Sequence, residues 1–172
     1  MSAARPDDAG PPGETGRPGN AGPPGETGRP GGRAGAWLRS ARLPSQSYIA
    51  LPLLLGQALA AARGHPFRPA TLAAVQLFGL FDQLYIVWAN DYADRETDRR
   101  NRTPTLFSGG SRVLVEGRLA PPELLAAAAG AALLAVGTST WLALAAGRWL
   151  LVPLAFAALG LLWAYSFPPL RL

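Results

Sequence analysis

Four long apolar stretches dominate the chain after residue 43, and shorter polar segments separate them. Each stretch is close to the ~20 residues that cross the hydrocarbon core of a bilayer. In lipid, the backbone groups of a crossing segment must bond within that segment, so these stretches predict helices. The pattern therefore predicts an all-α integral membrane protein with about four transmembrane helices, at residues 45–62, 69–89, 121–146 and 149–167.

The first 36 residues differ in composition and are predicted to form a separate region. Glycine recurs at every third position from Gly10 to Gly31, and the unit Gly-Pro-Pro-Gly-Glu-Thr-Gly-Arg-Pro-Gly occurs twice. This repeat resembles a collagen Gly-X-Y tract, in which only glycine fits at the axis of the triple helix. The repeat is short and the region lacks a core, so we expect a disordered tail at residues 1–36 and a membrane domain at residues 37–172.

The charged residues indicate an orientation in the membrane. All 16 basic residues are arginine, and the formal net charge is +5. They flank apolar stretches instead of forming a stripe on a soluble fold, which argues against nucleic acid as a partner. Six arginines precede the first predicted span, six lie between the second and third, and one follows the fourth, against three in the other connections. The positive-inside rule then places the tail and the second connection in the cytoplasm. We expect the spans to lie in the plasma (inner) membrane.

An acidic cluster follows the second apolar stretch, at residues 90–98. At helical spacing, Asp91, Asp94 and Asp98 fall within an arc of about 60°. Like charges this close repel, and the penalty grows beside a membrane, so something positive should neutralise them. Hard oxygen ligands suit Mg²⁺, which usually keeps some waters and is shared with substrate phosphates. We therefore predict that the three aspartates bind Mg²⁺ with Asn90 beside them; the alternative is a solvated helix end.

A polar stripe runs along the second predicted helix toward these aspartates. Gln76, Gly79 and Gln83 share its face with Asn90. Polar groups within a membrane helix are costly and usually face a bundle interior or a water-filled cavity. We interpret the stripe as one wall of a cavity; packing between helices is the alternative. Asp82 lies on the opposite side from Asp91 and is interpreted as a partner for another helix or as a protonated group.

Three motifs together resemble one protein family. The pattern Asn-Asp-x-x-Asp-x-x-x-Asp at residues 90–98 resembles the first aspartate-rich motif of the UbiA superfamily of intramembrane prenyltransferases. Residues 108–114, Ser-Gly-Gly-Ser-Arg-Val-Leu, resemble the loop after that motif and are most similar to members related to 1,4-dihydroxy-2-naphthoate prenyltransferase. Residues 165–171 resemble the element that closes the fourth helix in that family. The resemblance covers about residues 38–172.

The resemblance implies a UbiA-like helical bundle in membrane lipid and Mg²⁺-dependent transfer of a prenyl group. The donor would be an allylic polyprenyl diphosphate and the acceptor an aromatic quinone precursor. Guanidinium groups bind oxyanions through paired hydrogen bonds, and successive backbone N–H groups also bind anions. The candidate substrate-binding residues are Arg99, Arg102, Arg112, Ser108, Gly109, Gly110, Ser111, Gln83 and Tyr165. The alternatives are topology signals for the arginines, a flexible turn for the glycine pair and a structural role for Tyr165.

The chain departs from the family in its length and its acidic residues. The resemblance implies a bundle of about nine helices, with a second aspartate-rich motif in its later half. In this sequence the last acidic residue is Glu123. We therefore expect the N-terminal half of such an enzyme, inactive alone; no oligomeric state is predicted. A CDP-alcohol phosphatidyltransferase is a second hypothesis, although glycine follows neither Asp91 nor Asp94. A membrane-anchored collagen-like protein is a third, and it leaves the aspartates unexplained.

Overall fold

The computed structural model describes residues 32–101, 103, 110–167 and 169. Within these residues the chain forms six α-helices and one short 3-10 turn, Leu43–Gln46, and no β-strand. The predicted Gly-X-Y repeat up to Gly31 lies outside the described residues, as do the candidates Arg102, Ser108 and Gly109. The helices are α1 (Gly32–Ser40), α2 (Ser47–Ala62), α3 (Pro69–Ala93), α4 (Arg95–Arg100), α5 (Pro121–Ala146) and α6 (Leu151–Ser166).

Proline begins both of the longest helices, and glycine ends one of them. Pro69 and Pro121 each stand at the first position of a helix, where a missing N–H costs no intrahelical bond. At the start of α5, the Ala120 N–H donates to Glu123 Oε2 over 3.0 Å. Gly147 ends α5 in the left-handed conformation, with φ 63°. These local signals explain why α5 has the same limits as the predicted span.

The helices confirm the predicted all-α membrane class. α3, with 25 residues, and α5, with 26, are long and apolar enough to cross a membrane, and α6 is a shorter apolar helix. α2 has 16 residues and buries none of them. Large apolar side chains are exposed along the bundle; Leu133 is 74 % exposed and Leu161 is 66 % exposed. Such surfaces suit lipid better than water.

α3 is the central helix and packs against α2, α5 and α6. Its contact with α5 relies on small side chains, since the buried positions of α5 include Ala128, Ala131 and Ala135. Small residues let membrane helices approach closely where no hydrophobic effect drives them together. On its other side, Gly79 faces Leu53 and Ile49 of α2. The aspartate segment follows at the carboxyl end of this central helix.

The first helix begins within the region predicted as tail, five residues before the expected start of the membrane domain. Its buried Ala36 joins a core cluster with Val113, Leu119 and Leu124. Two further contacts attach α1 to the rest of the protein. Trp37 meets Trp88 edge-on, with ring centroids 5.7 Å apart, and Arg39 makes two bonds to Glu116, of 2.8 and 3.0 Å. α1 therefore covers the segment that follows the aspartates.

Candidate functional site

The aspartate segment keeps a nearly helical path after α3 ends at Ala93. The Asp94 N–H donates to the Asn90 carbonyl over 2.8 Å, and the Asp98 N–H donates to the Asp94 carbonyl over 2.8 Å. Asp94 lies at the junction between α3 and α4, and Asp98 lies within α4. The three carboxylates nevertheless differ in environment, because Asp91 is buried, Asp98 half-buried and Asp94 exposed.

Asp91 is the most enclosed carboxylate of the site, at 4 % exposure, and has two partners from distant parts of the chain. One is the guanidinium of Arg42, which forms an ion pair with Oδ1. The other is Ser111, whose hydroxyl and backbone N–H both donate to Oδ2, the N–H over 3.2 Å. Ser111 was predicted to bind phosphate through its N–H; in this structure that group is bonded to Asp91.

Gly110 brings Asp91 and Asp98 to a common point. A Cβ atom on Gly110 would lie 2.5 Å from Asp98 Oδ2, 2.8 Å from Asp91 Oδ1 and 3.1 Å from Arg42 Nη2. The residue also has φ +63°, a conformation that side chains other than glycine's rarely adopt. Glycine is thus required here by its backbone and by its neighbours, and the space beside it is bordered by two carboxylates and one guanidinium.

The electrostatic environment of Asp98 reflects this crowding. Its pKa is raised above the ordinary value, first because burial disfavours the charged carboxylate, and then because the Asp91 and Asp94 carboxylates repel it. The guanidinium groups of Arg42 and Arg112 act in the opposite direction and lower the pKa. Two positive side chains therefore offset part of the carboxylate repulsion that the spacing predicts.

The candidate arginines occupy different positions. Arg112, at φ 61°, extends Nη1 to the carbonyl oxygens of Asp98 and Asn101, each at 3.5 Å. A positive charge is favourable there, because carbonyl groups at a helix C-terminus carry partial negative charge. Arg99 is exposed and lies 3.5 Å from Glu96. Arg112 thus borders the aspartates, whereas Arg99 points into an exposed ion pair on α4.

The far end of the site is formed by α6. The buried Ser166 hydroxyl donates to the Asn90 side-chain oxygen. Tyr165, the predicted site residue of this element, is 56 % exposed. Phe167 stacks on Trp163 at 3.9 Å between centroids and approaches Tyr92 at 6.1 Å. The structure therefore places Ser166, and not Tyr165, against the aspartate segment. An aromatic cluster lies beside it.

The predicted polar stripe on α3 contacts α2 and the 3-10 turn. Gln76 Nε2 donates to the Ala50 carbonyl, and the buried Gln83 donates through Nε2 to Ser45 Oγ, both over 3.4 Å. Gly79 lies between them against α2. These contacts favour the packing alternative over a cavity wall for the two glutamines. The Oδ1 atom of Asp82 is buried and lacks a hydrogen-bond partner in the described part of the chain.

Two concave regions differ in their chemistry. A narrow cleft at the aspartates is lined by Asp91, Arg95, Asp98, Arg112, Leu114 and Val115. A groove of about 450 Å³ lies between α3 and α5, near the start of α3 and therefore far from the aspartates. Its lining is apolar and includes Ala74, Leu133 and Trp141. Of these two regions, the cleft carries the charged side chains, although the groove is larger.

The cleft provides two carboxylates that could serve as ligands of Mg²⁺. In the ranges that the structure describes, no group of three or more His, Cys, Asp or Glu side chains is placed to hold a metal ion. Asp91 and Asp98 do converge beside Gly110 and offer hard oxygen atoms. Mg²⁺ commonly takes one or two carboxylates and completes its shell with waters and substrate phosphates. Asp91 and Asp98 are therefore the pair suited to this ion.

Two residues of the site were missed by reasoning from the sequence. Arg42 was counted only among the arginines that set the membrane orientation, and Ser166 only as part of the motif that includes Tyr165. Arg42 lies 49 positions from its partner Asp91, and Ser166 lies 76 positions from Asn90. The only sequence signal for either was its position at one end of a predicted span.

Comparison with known proteins gives one match. A model of the UbiA prenyltransferase family matches residues 49–172. The matched segment contains the aspartates, the segment from Gly110 to Leu119 and both α5 and α6, and it begins after α1 and Arg42. The comparisons with curated proteins and with solved structures found no match.

Proposed function

Because the chain belongs to the UbiA prenyltransferase family, we propose that its cleft binds an allylic polyprenyl diphosphate together with Mg²⁺. The proposed reaction transfers the prenyl group to an aromatic quinone precursor, and the 1,4-dihydroxy-2-naphthoate type is the proposed subfamily. The observation that carries the proposal is the convergence of Asp91 and Asp98 beside Gly110, at the end of a membrane-crossing helix. The aspartate segment faces the cytoplasm in this proposal, in the plasma (inner) membrane.

The carboxylates have the first role in the proposed site. Asp91 and Asp98 would hold Mg²⁺, with Asp94 at the exposed edge of the same helical path. The bound ion would neutralise the charge that grows on the departing diphosphate. Asn90 lies on the same turn, and its side-chain oxygen accepts from Ser166, so its NH₂ group is the part that can donate to a phosphate oxygen.

The positive groups at the cleft bind the diphosphate. Arg112 lies beside the carboxylates and faces the cleft together with Arg95. A guanidinium can bind two phosphate oxygens at once, which fixes the orientation of the group as well as its charge. Gly110 and Ser111 would present backbone N–H groups to the same anion once the Ser111 bond to Asp91 opens. The outward apolar faces of α2, α5 and α6 hold these helices in lipid, so the side of the site that faces the bundle has little access to water.

Binding tests the proposal better than turnover does. The described site has carboxylates from one motif, so we expect the 172-residue chain alone to bind diphosphate without completing the transfer. Inorganic pyrophosphate is the probe, titrated by calorimetry into the protein purified in detergent, with and without Mg²⁺. Wild-type protein should bind pyrophosphate only in the presence of Mg²⁺.

The decisive variant is Asp91→Asn, which keeps the shape of the side chain and removes its charge. It should weaken Mg²⁺-dependent binding at least about tenfold, since a bond to a charged group contributes roughly 1.5–3 kcal/mol. Glu96→Gln is the matched control, because it makes the same charge change at an exposed position of α4. Equal binding by wild type and Asp91→Asn would contradict the proposed function.

A further inference from the structure

Arg42 stands out because it belongs to the site but not to the segment that matches the family. The family match starts at residue 49. The Arg42 guanidinium nevertheless forms an ion pair with Asp91, and its Nη2 atom lies 3.1 Å from the point where a Cβ of Gly110 would stand. That point is also 2.5 Å from Asp98 Oδ2. Arg42 thus takes the position of a cation at the carboxylate pair.

The backbone of Arg42 is held in an uncommon conformation. Its φ is 44° and its ψ is 59°, in the left-handed region that residues with a Cβ seldom adopt. Ser45 fixes the Arg42 carbonyl by donating to it from both its N–H and its hydroxyl, each over 2.8 Å. On the other side, the Ser40 hydroxyl accepts from Trp88 Nε1 over 3.0 Å. Non-glycine residues in this conformation persist only where the surroundings hold them, and they concentrate at functional sites.

The hydrogen bonds of the Arg42 side chain are incomplete. The Nε–H group is buried and has no hydrogen-bond partner within the described part of the chain. The side chain as a whole is 35 % exposed, so part of it remains accessible to a ligand. A buried donor without a partner is costly, which indicates that an acceptor belongs beside it. Phosphate oxygens match a guanidinium, because they accept two of its N–H groups at once.

We propose that Arg42 is a diphosphate-binding residue that alternates between two partners. It pairs with Asp91 while no metal is bound, and it turns to phosphate oxygens when Mg²⁺ occupies the Asp91 carboxylate. The guanidinium therefore competes with the metal alone and cooperates with the metal–diphosphate complex. The inference rests on the proposed function and extends the site to the segment before residue 49.

The inference predicts that one substitution, Arg42→Gln, has opposite effects on the binding of a metal ion and of pyrophosphate. Arg42→Gln removes the charge that competes for Asp91, so it should raise the affinity for Mn²⁺, a spectroscopic substitute for Mg²⁺, measured by electron paramagnetic resonance. The same variant should lower the affinity for pyrophosphate in the presence of Mg²⁺ at least about tenfold, as expected for loss of a charge-assisted bond. Arg63→Gln is the control, because it makes the same charge change at an exposed residue that follows the end of α2.

Arg42→Lys distinguishes the effect of the positive charge from the effect of the planar guanidinium shape. Lysine keeps the positive charge but cannot bind two phosphate oxygens in parallel, so its Mn²⁺ affinity should match wild type while its pyrophosphate affinity falls. This variant decides the question if Arg42→Gln cannot be purified. Pyrophosphate binding by Arg42→Lys at the wild-type level would then overturn the role of Arg42.

The remaining outcomes are distinguishable. A fall in both affinities in Arg42→Gln would mean that Arg42 only maintains the structure, and the inference would be wrong. Unchanged pyrophosphate binding in Arg42→Gln, alongside loss in Asp91→Asn, would overturn the inference and leave the proposed function intact. Absence of Mg²⁺-dependent pyrophosphate binding in the wild type would overturn both.

Discussion

The hydroxyl of Ser166 donates to the side-chain oxygen of Asn90 and so joins the last turn of α6 to the start of the aspartate segment. The two residues are 76 positions apart. The bond uses the acceptor of the Asn90 amide and leaves the NH₂ group to donate elsewhere. Ser166 therefore fixes which way the Asn90 side chain faces, although it lies outside the aspartate motif.

The first prediction concerns this bond. Ser166→Ala should weaken Mg²⁺-dependent pyrophosphate binding about fivefold, because a neutral hydrogen bond contributes roughly 1 kcal/mol and Asn90 would lose its orientation. Ser166→Thr keeps the hydroxyl and should retain most of the binding. Calorimetric titration of both variants measures the difference.

Ser139→Ala provides a matched comparison for Ser166. The Ser139 hydroxyl donates to the Leu151 carbonyl over 2.8 Å, so its removal also breaks one hydrogen bond between α6 and the rest of the bundle. It should lower thermal stability without weakening pyrophosphate binding. If both alanine variants weaken binding equally, the Ser166 effect reflects general stability, and a positioning role is contradicted.

The second prediction concerns the space beside Gly110. In Gly110→Ala, the new methyl group would meet Asp98 and Asp91 oxygens at 2.5 and 2.8 Å, so the carboxylates must move apart. Forcing atoms into a filled site costs roughly 1–3 kcal/mol. Binding of Mn²⁺ and of pyrophosphate should both fall, as followed by electron paramagnetic resonance and calorimetry.

Gly117→Ala distinguishes the effect of crowding at Gly110 from the effect of its backbone conformation. Gly117 has φ +65°, close to the +63° of Gly110, but a Cβ there would have no atom within 4 Å. Both variants therefore incur the same cost of a left-handed alanine, about 1–2 kcal/mol. Only Gly110→Ala should lose ligand binding; similar losses in the two variants would show that the carboxylate contacts are unimportant.

The third prediction concerns the attachment of α1. Arg39→Glu and Glu116→Arg each place like charges together and should reduce stability by up to about 1 kcal/mol, as expected for a partly exposed ion pair. The double variant restores opposite charges and should recover the loss. Thermal unfolding in detergent and protease protection of α1 provide the readouts.

Arg148→Glu is the control for this charge reversal, since Arg148 is exposed in the connection between α5 and α6. It should leave the protection of α1 unchanged. Failure of the double variant to recover protection would mean that Arg39 and Glu116 do not act as a pair, and that other contacts of α1, such as those of Ala36 and Trp37, hold the helix.

The helices could be predicted from the sequence because their signals are local. The apolar runs, Pro69, Pro121 and Gly147 set the start of α3 and both limits of α5 without reference to the rest of the chain, whereas α3 continues to Ala93, four residues beyond the predicted span. α1 has no such signal: nine residues with three glycine or serine positions resemble the tail before them. Contacts with Val113 and Leu124, far along the chain, stabilise it.

The candidate site could be predicted only in part, for the same reason. Helical spacing placed Asp91, Asp94 and Asp98 on one path, but it could not distinguish a buried carboxylate from an exposed one. Burial depends on Ser111 and Arg42, which come from separate segments of the chain. The stripe containing Gln83 shows a related limit, because a polar face has the same periodicity whether it faces a cavity or a neighbouring helix.

The position of α1 has a consequence for the boundaries of the protein. The stretch recognisable as family begins at residue 49, but within the described residues the chain already packs with that stretch from Gly32 onward. A protein shortened to its recognisable part would uncover Val113 and Leu124 and leave the Asp91 charge without its basic counterpart. The family boundary is therefore not a folding boundary, and the seventeen residues between the two are part of the working module.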